Sequence, residues 1–224
     1  MKGIRNIGGT TVRRTYKKED FEIFQLKQLE ERMEAIRERI QPIFQEFGDT
    51  YSRIVEEKTG YKTHFHIAQH RRRTTNPPES TWSAIGGDSR GYKKYPHIQM
   101  GINEEHIFIF VSIIDQPLLE KDMGKSLLEN KENWIKLKDN FVISGDHTKS
   151  NVESLTEESG TRLIERMITV KKGEILIGRI IPNNSPLLDD QSTQQAFLFE
   201  TISQLIPLYK QLLDLYEQHN LIDK

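Results

Sequence analysis

Apolar residues recur at Leu26, Leu29, Met33, Ile36, Ile40 and Ile43, in alternating steps of three and four, and continue at Phe47 and Ile54. This is one stripe of a helical face, with Asp20 as its expected N-cap. Pro42 lacks an amide donor and crowds the turn before it, so it either starts a second helix or kinks the first. The same period returns at Leu198, Ile202, Leu205, Tyr209, Leu212 and Tyr216, with Pro207 inside the run. That segment is expected to close the fold as a C-terminal amphipathic helix.

Between these helices the period falls to two. Pro96 to Ile102 and His106 to Ile114 read as paired strands joined by a turn at Asn103, Glu104 and Glu105. The second strand is apolar on both faces, as expected in the middle of a covered sheet. The first alternates: Ile98, Met100 and Ile102 share one side, while His97 and Gln99 point to the other and give the sheet a polar face. Further strands are expected at 63–69, 81–85, 141–144 and 174–181, with helices near 117–137 and 156–169, the latter opened by Thr156, Glu157 and Glu158. Strands in hairpin order between long helices define an α+β domain, mostly antiparallel, packed by its N- and C-terminal helices. One domain is expected over 19–224. Residues 1–18 carry six basic side chains, three glycines and no acidic one, without a period, and read as a loose basic tail.

Composition narrows the chemistry. Leu, Ile, Val and Phe number 61 of 224 residues, above the fifth that marks disorder. The 32 basic and 33 acidic side chains nearly cancel, so any polyanion must be met by a local patch. The chain has no cysteine, which removes disulfides, thiol nucleophiles and thiolate metal sites. With no long apolar run and no apolar leader, it reads as a soluble cytoplasmic protein.

The densest chemistry lies between Lys62 and Pro96. Seven basic residues stand there against Glu79 and Asp88. Arg71, Arg72 and Arg73, followed by Thr74 and Thr75, offer planar forks and hydroxyls suited to phosphate or carboxylate, and Asn76, Pro77 and Pro78 stiffen the loop. The competing reading pairs these arginines with Glu30, Glu31, Glu34 and Glu38 of the first helix. Gly86, Gly87 and Gly91 would let backbone amides approach an anion but match no phosphate-binding fingerprint. His64, His66 and His70 share a strand parity, with His97 on a neighbouring strand and Asp146 beside His147. Acid–base chemistry is one use of such imidazoles, and local hydrogen bonding is the other. Their spacing is not that of a metal site, and no metal or cofactor is expected. Of the aromatic residues interleaved with Arg90, Lys93 and Lys94, Tyr92 and Tyr95 are expected at the surface and Trp82 in the core.

The stretch HIAQHRRRTTNPPESTWSAI at 66–85, with RGYK at 90–93, PHIQMG at 96–101, DHTK at 146–149 and VKKGEILIGR at 170–179, resembles the YktB-like family of uncharacterised proteins from low-GC Gram-positive bacteria. The resemblance runs from about Asp20 onward. It implies a compact α+β fold, a cytosolic location and no assigned activity. The shared motif contains His66, His70, Arg72, Arg73, Asn76, Pro77, Pro78, Trp82, Arg90, Tyr92, Lys93, His97 and Gln99.

The leading expectation is a binding module for a phosphorylated or other anionic ligand, a nucleotide or nucleic acid among them. Arg72, Arg73, Asn76, Arg90, Tyr92, Lys93 and Gln99 are its binding residues, with His66 and His97 orienting the ligand. The alternative is an enzyme acting on a phosphoester or related anion, with His66, His70 or His97 as acid or base. A third reading is an interaction protein whose long helices form a dimer seam. Oligomeric state is left open.

Overall fold

The computed structural model describes residues 15–115, 117–137 and 140–222. A 3-10 helix at Lys18–Gln25 leads into α1 (Leu29–Ala35), a π-helical turn (Ile36–Ile40) and α2 (Gln41–Thr59). The proline starts the second helix: it occupies the first turn of α2, where a missing N–H costs nothing, directly after the wide turn. Gly60, with φ of 79°, caps the other end in the left-handed conformation. Asp20 is not an N-cap: it sits inside the 3-10 helix, fully buried, and accepts from the Lys17 N–H at 2.8 Å.

Seven strands follow: β1 (Phe65–Ile67), β2 (Ser80–Gly86), β3 (His97–Asn103), β4 (His106–Ile113), β5 (Val142–Ser144), β6 (Glu153–Ser154) and β7 (Ile175–Pro182). Helices α3 (Glu120–Glu129), α4 (Glu132–Ile135), α5 (Glu157–Thr169) and α6 (Gln191–Gln218), with a 3-10 turn at Pro186–Leu188, make up the rest of the regular structure among the described residues. All strand pairs are antiparallel, in the order β1-β2-β3-β4-β7-β5-β6, so β4 is central as expected. Thr156 caps α5, its hydroxyl accepting from the Ser159 N–H at 3.1 Å.

The two faces of the sheet differ. Ile98, Met100, Ile107, Ile109, Ile177 and their neighbours on one side join the main core with Ile43, Phe44 and Phe47 of α2 and Ile202, Leu205 and Tyr209 of α6. The opposite face carries only a small cluster, Phe108, Phe110, Ile114 and Leu176, with Trp82, Val142, Val152 and Ile180 packed against it. Strand register sets three rows there. Gly86, His97, Ser112, Leu176 and Ser144 form one; His66, Ala84, Gln99, Phe110, Gly178 and Val142 the next; Trp82, Gly101, Phe108 and Ile180 the third. Two glycines in these rows are required by close approach: a methyl at Gly101 would run into the Phe108 ring, and one at Gly178 into the Phe110 ring and the Ile109 carbonyl. The two phenyl rings therefore lie across the glycines, nearly parallel at 5.4 Å between centroids.

The tail expectation needs correction at its end. Residues 1–14 lie outside the described ones, but Tyr16 is buried, and its N–H donates to Gln194 Oε1 of α6 at 2.8 Å while its carbonyl accepts from Gln194 Nε2 at 3.0 Å. Among the described residues no helix is long and apolar enough to cross a membrane.

Candidate functional site

The polar face of β3 is where the chain concentrates unusual groups. His97 is fully buried, and its Nδ1–H donates to the Tyr95 carbonyl at 3.0 Å, which leaves Nε2 as a lone pair with no partner among the described residues. Burial pushes this ring down to about 4, so it is neutral at physiological pH. Two residues along, Gln99 is 1% exposed; its Oε1 accepts from the Ser112 hydroxyl at 2.8 Å, and its amide nitrogen makes no hydrogen bond among the described residues.

Histidine and aromatic rings connect outward from His97. Tyr92 packs edge-on against it at 4.7 Å and tilts against His66 at 5.6 Å. The Tyr92 hydroxyl accepts from Trp82 Nε1 at 2.8 Å, and Trp82 meets His70 at 5.6 Å and His147 at 6.1 Å, both edge to face. The histidines thus share two aromatic neighbours rather than a common point. Two of the three aromatic expectations do not hold: Tyr92 is buried and pushed up to about 12 by desolvation, and Trp82 is half-exposed, as is Tyr95, which packs on Tyr216. Trp82 sits opposite Gly101, with the polar face of β3, because strand parity puts it there. His70 is not on the strand; it lies in the turn after β1 with φ of 49°, its Nε2 3.1 Å from the Thr81 hydroxyl, and burial lowers it to about 4, with Arg73 and Lys93 adding to the effect.

The carboxylate facing His147 is not its neighbour Asp146 but Glu174, 27 residues later. His147 Nδ1 lies 2.9 and 2.8 Å from the two Glu174 oxygens, which also accept from the backbone N–H groups of His147 and Asp115. Burial raises the Glu174 carboxyl, but these donors outweigh it and hold the group below its ordinary range. The pair fixes the His147 ring with Nδ1–H toward the carboxylate, and Nε2 makes no hydrogen bond among the described residues. Asp146 instead closes its own turn, accepting from the Thr148 N–H and hydroxyl at 2.9 and 2.6 Å. Asp146, His147 and Glu174 are also the one trio of metal-ligand types that the described residues bring within 4.8 Å. Their carboxylate oxygens already carry protein donors, so the arrangement serves to orient His147.

Below these rings a cleft of about 570 Å³ opens on the polar face. Gln99, Phe108 and Phe110 line its floor. Asn76, Pro77 and Glu79 form one wall, and Ser144, His147 and Lys149 the other. The first wall is fastened by Arg32, which sequence reading passed over as a polar residue of the helical stripe. Its guanidinium donates to Pro78 O at 2.8 Å, to Phe24 O at 2.5 Å and to Leu26 O at 2.6 and 2.9 Å. Burial lowers its pKa.

Of the expected binding residues, Asn76 and Gln99 line this cleft. Arg72 and Arg73 are exposed and, with Arg71, form no ion pair among the described residues, so their expected pairing with the glutamates of α1 is absent there. Arg90 is exposed beside Asp88, and Lys93 is paired with Asp115. The Gly86–Gly91 turn does bind an anion with its amides, but that anion is Asp88, which accepts from the Arg90 and Gly91 N–H groups at 2.7 and 3.1 Å and is lowered by them. The cleft itself is not basic: Glu79, Glu104, Glu105 and Asp146 line it with Arg32 and Lys149. Outside this cleft, Arg73 and Lys93 lie close enough to His70 to help lower it.

An antiparallel sheet covered by long helices on one face, with a ring-bordered cleft on the other, defines the class of α+β proteins to which this chain belongs. Residues 16–209 match a domain of unknown function, DUF1054. The chain is 40% identical over 195 residues to a UPF0637 protein of Enterococcus faecalis, covering 87% of this chain and 96% of that one. A UPF0637 protein of Lactococcus lactis subsp. cremoris is 43% identical with the same coverage, and one of Oceanobacillus iheyensis 40% over 87% and 95%. The chain belongs to this UPF0637, YktB-related, family of uncharacterised proteins from low-GC Gram-positive bacteria.

Proposed function

We propose that the polar-face cleft binds a small cytosolic ligand with a phosphorylated or otherwise anionic head and a hydroxyl-rich body. The observation that carries this reading is Gln99. A side chain 1% exposed, held by Ser112, keeps its amide donors unpaired at the floor of a cleft. At the cleft floor, a ligand acceptor would take the place of the water that otherwise meets these donors. The charge distribution supports the division of the ligand. Arg73 and Lys93, outside the cleft but close enough to lower His70, attract an anion from beyond its edge, whereas the carboxylates and amides of Glu79, Asp146, Asn76 and Asn103 within it suit hydroxyl groups. Arg72, Arg73 and Arg90 are all exposed and act as outer attraction rather than as walls of the cleft.

The test is a thermal-shift screen with inorganic phosphate, ribose 5-phosphate, adenosine 5′-monophosphate and ribose, at two salt concentrations. A ligand that binds only the folded state raises its melting temperature by mass action. Phosphorylated compounds are expected to give a salt-sensitive shift that ribose does not, and R73A to weaken it. A shift unaltered in both R73A and Q99L would remove this site as the seat of binding.

A further inference from the structure

We infer that His147, oriented by Glu174, is the general base of a phosphoester hydrolase housed in the same cleft, an inference that rests on the binding reading above. The geometry has three parts. His147 lines the cleft, whereas its carboxylate lies behind it, 18% and 12% exposed respectively at the side chain. Glu174 takes the Nδ1–H, so the lone pair of Nε2 is the one offered to the cleft side, beside Trp82. The unpaired amide donors of Gln99 face the same space, where they would meet a phosphoryl oxygen.

In the step, His147 Nε2 takes a proton from water as the water oxygen bonds to phosphorus. The phosphorus–oxygen ester bond breaks, and the leaving alkoxide takes up a proton released by the imidazolium or by solvent. The products are an alcohol and a phosphate, and no electrons change hands. The carboxylate stabilises the imidazolium formed on the way, and the Gln99 donors stabilise charge on the phosphoryl oxygens. The charged and titratable groups around the His147 ring are Glu174, Asp146 and Lys149, with His97 across the sheet.

The experiment follows release of nitrophenolate from p-nitrophenyl phosphate and bis(p-nitrophenyl) phosphate, and of inorganic phosphate from adenosine 5′-monophosphate, across pH 5–9. H147Q is expected to lose on the order of 100-fold or more in turnover while keeping its melting temperature. Glu174 is a positioning residue. In E174Q kcat should fall with KM little changed, because the ring is no longer held with Nε2 toward the cleft, and E174D should recover part of it, a split that loss of packing alone would not produce. Wild-type protein that binds phosphate but releases no product overturns catalysis and leaves binding intact, and so does an H147Q variant as active as wild type. Protein that binds none of these compounds overturns both readings.

Discussion

Replacing Arg32 with alanine removes the clamp between the N-terminal segment and the loop that walls the cleft. The guanidinium makes four hydrogen bonds to three carbonyls, those of Phe24, Leu26 and Pro78, from a residue 6% exposed. Each bond from a charged donor contributes about 1.5–3 kcal/mol net, and each buried carbonyl left unpaired costs about 1–3 kcal/mol. These terms overlap, because water enters the space left by the side chain and satisfies part of the deficit. A loss of about 3–5 kcal/mol follows, a large fraction of the roughly 5–15 kcal/mol that holds a domain together. At about 2–4 °C per kcal/mol for a chain of this size, the melting temperature should fall by about 10 °C. Urea denaturation of wild type, R32A and R32K measures it. Lysine keeps the charge but not the planar fork, so R32K should recover only a minor part. Hydrogen exchange should also show that the amides of 76–80 lose protection before the sheet does. A destabilisation under about 1 kcal/mol in R32A would refute the clamp.

Three further outcomes follow from the same structure. G101A pushes a methyl into the Phe108 ring and the Thr81 carbonyl and should cost about 1–3 kcal/mol by overpacking, read by denaturant unfolding, whereas G101A with F108L should recover only the part due to the ring, because the backbone clash stays. His97 is neutral in both states above about pH 6.5; below that the unfolded chain binds a proton that the folded ring refuses until about 4, so stability falls across this window by about 1.4 kcal/mol per pH unit. Unfolding at pH 7.5 and 5 should show a smaller drop in H97Q than in wild type. Asp88 has a depressed folded pKa, so its stabilisation is complete above about pH 5 and is lost as pH falls below about 4; the gap between wild type and D88N should narrow over that range.

What the chain discloses in advance follows from how local each feature is. The β3–β4 hairpin and the parity of His97 and Gln99 are written in alternation over seven residues, and they form as read. The stripe of the N-terminal helix is equally local, and Pro42 marks its break. The His147–Glu174 contact has no such signature: strand β7 brings Glu174 to a loop 27 residues away only once β7 has paired with β5. One signal was present, since the segments DHTK and VKKGE both carry the family resemblance and prove to be neighbours. Arg32 was hidden for a different reason, because a charged residue beside an apolar stripe reads as solvated, and only the buried carbonyls around it reveal its task. Trp82 and Tyr92 were exchanged because size suggested burial, whereas parity with Ala84 and Gly86, the partners of Gln99 and His97, sets the side of the sheet.

The most direct measurement is a nitrogen–proton correlation spectrum of isotopically labelled protein during titration with ribose 5-phosphate. The Gln99 side-chain amide and the His147 ring should move together with a single dissociation constant, while His219, at the end of α6, stays fixed. Saturable shifts that spare Gln99 and His147, or none at all, would contradict a ligand in the polar-face cleft.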